Sequence, residues 1–133
     1  MAYKILIVDD EPQVLTVLQS YLRLRGFEVT TAPDSETALR MLGNERFHVA
    51  LLDINLPRMN GITLLKKIKG VSPSTQVMMI TAYSRVEVAI ECLEAGATDY
   101  FLKPFRELAE VAATVQAACE RVSRWENVTR NLH

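Results

Sequence analysis

Lys4-Ile5-Leu6-Ile7-Val8-Asp9-Asp10-Glu11-Pro12 is the stretch on which the fold turns. Its apolar run does not alternate with polar residues, so it reads as a strand covered on both faces, as strands of a parallel sheet are. Pro12 suits the first turn of a helix, where a missing N–H breaks no bond. Val14, Leu15, Leu18, Tyr21 and Leu22 give that helix an apolar side, and Gly26 reads as its stop. Strand, acidic turn and helix follow one another without a linker.

The same unit recurs outward along the chain. Glu28–Ala32 (EVTTA), Val49–Leu52 (VALL), Gln76–Ile80 (QVMMI) and Asp99–Leu102 (DYFL) read as further strands. Between them, Ser35–Leu42 carries Ala38, Leu39 and Leu42 before Gly43, and Ile62–Lys69 carries Leu64, Leu65 and Ile68 before Gly70. Lys66, Lys67 and Lys69 read as the solvated face of that helix. Ser84-Arg85-Val86-Glu87 has the form of a capping box, with Val86, Ala89, Ile90 and Leu93 at helical spacing behind it and Gly96 as its stop. A last helix is expected from Phe105 or Arg106 to about Arg124.

Five strand–helix units predict an α/β fold: a doubly wound, five-stranded parallel sheet between two helix layers, flavodoxin-like, with right-handed crossovers. Residues 1–124 read as one domain and 125–133 as a C-terminal extension of the last helix that could begin a linker to an output domain.

The 133 residues include 15 Lys+Arg and 16 Asp+Glu, a formal net charge of −1. That balance argues against a large phosphate-backbone footprint, so no direct nucleic-acid binding is expected of this segment. The opening residues do not read as a signal peptide, and their apolar run ends at Asp9, far short of a membrane span. A cytoplasmic setting is expected, with Cys92 and Cys119 as free thiols on apolar helix faces. The acceptor-like triplet Asn127-Val128-Thr129 is a chance match in that compartment.

The informative polar residues occupy one place in their units. Asp9 and Asp10 follow the first apolar run, Asp53 the third, Thr81 the fourth and Lys103 the fifth. In a parallel sheet these positions share one edge. The second run ends in Ala32-Pro33 without such a group, which fits strand order 2-1-3-4-5 with the acids bordering the switch point. Clustered carboxylates repel one another unless a cation joins them, and a hard ion such as Mg²⁺, or alternatively Mn²⁺, suits them. Asp10 is expected to ligate the metal directly, Asp9 through water, Asp53 directly, and Asn55 by its backbone carbonyl. Asp53 also offers a nucleophilic oxygen able to form an acyl phosphate, with Thr81 and Lys103 holding the phosphoryl oxygens.

Taken in order, Val8-Asp9-Asp10-Glu11, Asp53-Ile-Asn-Leu-Pro57-Arg-Met-Asn-Gly61, Ile80-Thr81-Ala82 and Gly96-Ala-Thr-Asp-Tyr-Phe-Leu-Lys103-Pro104-Phe105 resemble a response-regulator receiver domain of bacterial two-component signalling. The resemblance spans about residues 3–122 and departs from the family pattern at no motif position. It implies that Asp53 accepts a phosphoryl group from a sensor histidine kinase or phosphotransfer protein, with Asp9 and Asp10 as metal acids. It also implies a cis peptide between Lys103 and Pro104. Tyr100 matches the family's switch aromatic, expected to fill space that Thr81 vacates and to report onto helix 4, strand 5 and helix 5. Asn55 and Tyr83 match positions that tune how long the phosphate survives. Such a protein performs no catalysis beyond its own phosphorylation and dephosphorylation.

Leu108, Val111, Val115, Ala118, Val122, Trp125, Thr129 and Leu132 keep a heptad spacing. A homodimer through that helix, or through the helix 4–strand 5–helix 5 face, follows as an expectation. The alternative is a haloacid-dehalogenase-type aspartyl-phosphate phosphatase. That family wants a second Asp two residues after the nucleophile, where this chain has Asn55. A flavodoxin-type FMN binder needs a Gly- and hydroxyl-rich loop where this chain has Asp-Asp-Glu-Pro.

Overall fold

Ile5, Leu6, Ile7 and Val8 have no accessible surface, because β1 (Lys4–Val8) lies in the interior of its sheet with helices on both faces. The computed structural model describes residues 2–132; Met1 and His133, the outermost residues of the expected 1–124 and 125–133 segments, lie outside the described residues. After β1 come α1 (Pro12–Leu24), β2 (Glu28–Ala32), α2 (Ser35–Asn44), β3 (Val49–Leu52) and α3 (Gly61–Val71). β4 (Gln76–Thr81), α4 (Val86–Glu94), β5 (Asp99–Leu102) and α5 (Leu108–Arg130) complete the chain. The strands pair in parallel in the order β2-β1-β3-β4-β5. The doubly wound architecture read from the sequence is the observed one.

Alternate residues of each strand face opposite layers. Leu6, Val8, Ala50, Leu52, Val77 and Met79 pack beneath α2, α3 and α4. Ile5, Ile7, Val49, Leu51, Met78 and Ile80 pack beneath α1 and α5. Cys92 of α4 belongs to the first layer and Cys119 of α5 to the second, both free and buried. Among the described residues no helix is long and apolar enough to cross a membrane.

Helix boundaries depart from expectation in four places. α2 runs through Gly43, and α3 begins at Gly61 and runs through Gly70. Positive φ, which lets glycine end a helix, occurs instead at Gly26 (+93°) and Gly96 (+105°). The capping box does not form. Arg85 is the cap residue of α4 and makes no side-chain cap, and Glu87 turns outward to the Arg85 guanidinium at 3.3 Å. α5 starts at Leu108 rather than Phe105 or Arg106, and it continues past Arg124 to Arg130. Lys69 is half-buried rather than solvated, its ammonium donating to the carbonyls of Pro73 and Thr75 at 3.1 Å each, whereas Lys66 and Lys67 are exposed.

Candidate functional site

The carboxyl edge of the sheet is built by main-chain hydrogen bonds that continue the strand pairing by one residue. Asp9 N–H donates to Ala32, Asp53 N–H to Val8, and Lys103 N–H to Thr81. The register that buries the apolar runs therefore also sets where the four side chains of Asp9, Asp53, Thr81 and Lys103 begin. Asp9 and Thr81 are fully buried, and Asp53 is nearly so.

The loop after Asp53 is pinned on several sides. A Cβ on Gly61 would stand 2.0 Å from the Asp53 carbonyl oxygen, so only glycine lets α3 start this close. Asn60 caps that helix, accepting from the N–H groups of Ile62 and Thr63 at 3.0 Å each. Arg58 takes a left-handed φ of 64°. Its guanidinium bridges to Glu36 at 2.7 Å and Asp34 at 3.6 Å, while the buried Ser35 hydroxyl donates to the Met59 carbonyl at 2.7 Å. The start of α2 thus straps down the segment that follows Asp53.

Lys103 reaches inward. Its ammonium stands 2.7 Å from Asp9 Oδ2, 2.8 Å from Glu11 Oε1 and 3.2 Å from Asp53 Oδ2. Burial alone would lower its pKa, but the close negative charges of Asp9, Glu11 and Asp53 outweigh that and hold it above the usual lysine value. Asp9 is likewise held above the ordinary carboxylate range. Its burial raises the pKa, and Lys103 and the Glu11 N–H, which donates to Asp9 Oδ1 at 2.9 Å, only partly offset this. The Lys103 contact with Asp9 Oδ2 is close but poorly directed. Among the described residues, that oxygen is the one buried side-chain polar atom without a hydrogen-bond partner.

Carboxylate oxygens of Asp9, Asp10, Glu11 and Asp53 all lie within 4.8 Å of one another. That spacing, together with the unsatisfied Asp9 Oδ2, fits a hard divalent cation with oxygen ligands. Glu11 was not among the metal acids or site residues read from the sequence, although it stands third in the acidic run. Its role depends on side-chain reach to Lys103, which the spacing of letters does not encode.

The remaining candidates line the same cleft. Asp53, Asn55, Thr81, Tyr83 and Lys103 share its wall with Glu11. Asn55 N–H points at Asp53 Oδ1 at 3.3 Å, and Thr81 Oγ1 receives only a long contact of 3.4 Å from Tyr83 N–H. Tyr100 is half-buried against the α2–α3–α4 layer, and its hydroxyl donates to the Tyr83 carbonyl at 2.8 Å. Burial, with smaller contributions from Cys92 and Asp53, holds the Tyr100 phenol above its ordinary pKa. The Lys103–Pro104 peptide is cis.

Comparison with known proteins points one way. The family model of the response regulator receiver domain matches residues 5–116. Regulatory protein AtoC of Escherichia coli is 41% identical over 130 residues, 98% of this chain and 28% of AtoC. Transcriptional regulatory protein PrrA of Mycobacterium tuberculosis is 41% identical over 118 residues, 89% of this chain and 50% of PrrA. The chain therefore spans half or less of the length of these relatives. Among solved structures, a CheY-like receiver domain protein from Methanospirillum hungatei superposes with a TM-score of 0.88 at 31% identity, covering 93% of this chain and 98% of that one.

Proposed function

The chain belongs to the response-regulator receiver family, the phosphoacceptor signalling domains of two-component systems, and on that premise we propose that Asp53 is its phosphorylated residue. The observation that carries the reading is the meeting of Asp9, Asp53 and Lys103 within 3.2 Å contacts, although they come from strand ends far apart in sequence. An Asp53 carboxylate oxygen attacks the phosphorus of a phosphohistidine on a sensor kinase or phosphotransfer protein. The new P–O bond forms as the P–N bond breaks, and the electron pair leaves on the imidazole nitrogen. Thr81 and Lys103 bind the transferred oxygens, the positioning and charge stabilisation that phosphoryl transfer chiefly needs.

Mg²⁺, or Mn²⁺, would be held by Asp10 and Asp53, by Asp9 through water, and by the Asn55 carbonyl. When bound it would neutralise the charge that develops on the phosphoryl oxygens. Asn55 and Tyr83 stand on the cleft wall, where they shape access of water to the acyl phosphate. Thr81 moves toward the phosphoryl group, and Tyr100 fills the space it vacates, altering the α4–β5–α5 face. Val86, Ile90, Leu93 and Leu102 are exposed and apolar on that face, which suits self-association. The second candidate contact is the C-terminal part of α5 around the exposed Trp125, because Val111, Val115, Ala118 and Val122 of the heptad stripe are buried in the domain and Leu132 lies past the helix end. Residues 125–132 are read as the extension that could begin a linker, although Glu126 still pairs with Arg46 of the domain at 3.1 Å. Sedimentation with and without beryllofluoride tests both; a monomer throughout removes them. The setting is cytoplasmic, where the kinase's phosphohistidine resides.

Acetyl phosphate with Mg²⁺ tests the central assignment. Wild-type protein gains one acid-stable, hydroxylamine-labile phosphoryl group, and Asp53→Asn gains none while keeping its circular dichroism spectrum. Undiminished labelling of that variant removes Asp53 from the role. Multiple turnover on small phosphate esters would instead favour the phosphatase reading.

A further inference from the structure

Lys103 is shared among three acids, and they are not equivalent. All three belong to the carboxylate set that suits a divalent cation, but Asp9 and Asp53 are buried whereas Glu11 is exposed at its rim. A cation drawing on the two buried acids would leave the ammonium with Glu11. The Glu11 contact is a hydrogen bond at 2.8 Å, shorter than the one to Asp53 at 3.2 Å, whereas the close Asp9 contact is an ion pair without hydrogen-bond geometry.

Glu11 is built to keep hold of that ammonium. It is the cap residue of α1, its backbone fixed by its own N–H on Asp9 Oδ1 and by Pro12 at the first helical position. The Glu11 side chain is 58% exposed and Lys103 only 12%, so Glu11 forms the solvent-side wall over the ammonium.

We infer that Glu11 is a positioning residue of the phosphorylation site, parking Lys103 at the cleft mouth in competition with incoming phosphoryl oxygens. The inference rests on the reading of Asp53 as phosphoacceptor. Two opposed effects follow from one carboxylate. Its charge favours a divalent cation among the neighbouring acids, whereas its grip on Lys103 and its repulsion of a phosphoryl dianion disfavour the phosphorylated state.

Calorimetric titration of the intact chain, first with Mg²⁺ alone and then with beryllofluoride at saturating Mg²⁺, separates these effects. Glu11→Gln weakens Mg²⁺ and tightens beryllofluoride, each by about three- to fivefold, the scale of a partly exposed ion pair. Glu11→Asp keeps the charge but withdraws the carboxylate from Lys103. It weakens Mg²⁺ less than Glu11→Gln does and still tightens beryllofluoride. If Glu11→Asp fails to tighten beryllofluoride, the parking role is overturned, and tightening confined to Glu11→Gln reduces Glu11 to a background charge. Unchanged titrations in both variants overturn the inference entirely. Failure of the Asp53 reading looks different: the wild type then takes up no beryllofluoride, or Asp53→Asn takes it up equally well.

Discussion

Thr75, just before β4, and Thr81, its last residue, are both fully buried threonines, yet their hydroxyls live differently. Thr75 Oγ1 donates to the Phe47 carbonyl at 2.8 Å and meets Ser72 Oγ at 2.6 Å. Thr81 Oγ1 has one long contact of 3.4 Å with a backbone N–H. The contrast extends to the two edges of the sheet. At the amino edge the Lys4 N–H donates to His48 Nδ1 at 3.0 Å and Thr98 Oγ1 to Gln76 Oε1 at 2.9 Å. At the carboxyl edge Asp9 Oδ2 lacks a hydrogen-bond partner and one ammonium serves three acids. Buried polar groups that only hold a fold together are satisfied, while those awaiting a ligand are left partly unsatisfied.

The comparison breaks most visibly at glycine. Gly61→Ala sets a methyl against the Asp53 carbonyl and is expected to destabilise by about 4 kcal/mol or more, the range of gross steric conflict. At the other end of the same helix a Cβ on Gly70 meets nothing within 4 Å. Gly70→Ala is therefore expected to stabilise by about 0.5–1 kcal/mol through helix propensity. Denaturant titration of the pair measures both, and equal stabilities would refute the close approach of α3 to Asp53.

The threonines sharpen it next. Thr75→Val is expected to lose about 1–3 kcal/mol, because it leaves the buried Phe47 carbonyl without its donor, while acetyl-phosphate labelling stays normal. Thr81→Val should change stability by no more than about 0.5 kcal/mol, yet slow labelling by about tenfold, the worth of one hydrogen bond to a charged group. A Thr81 variant that unfolds while labelling normally would reverse the argument.

The smallest effect belongs to His48. Burial, outweighing the pull of the nearby Glu126, holds its pKa below the usual histidine value, so it stays neutral and accepts the Lys4 N–H. The unfolded chain binds that proton more readily. The contribution is complete above the ordinary histidine pKa of about 6.5 and is lost as pH falls through the lower folded value. Stability should decline by less than about 1 kcal/mol across that interval in the wild type, the worth of one hydrogen bond. In His48→Gln the decline should be flatter.

Legibility in the sequence followed the same division. All five strands were readable to within one residue, β4 running one further than expected to Thr81; in β1, β3 and β4 the signal was the unbroken apolar run of a strand covered on both faces. Their carboxyl-end residues could then be placed on one edge without any knowledge of side-chain geometry. Glycine as a stop signal was less informative: Gly26 and Gly96 end helices at positive φ, but Gly43 and Gly70 sit within them. Ser84 and Glu87 had the right letters for a cap at the wrong phase, since α4 starts at Val86. Glu11 and the strap from Asp34, Ser35 and Glu36 to Arg58 and Met59 stayed hidden, because they depend on long side chains meeting across loops.

The two cysteines give the molecule a pair of chemical clocks, one in each layer. Burial pushes the Cys119 thiol up to about 12 and the Cys92 thiol above its ordinary value, so neither offers much thiolate to an alkylating reagent while the layers stay closed. Cys92 is the one buried residue of α4, whereas Cys119 stands among six on α5. Alkylation at Cys92 therefore counts excursions of a lightly moored helix, while alkylation at Cys119 counts openings of the deeper layer, and their ratio separates local breathing from collapse of the whole fold.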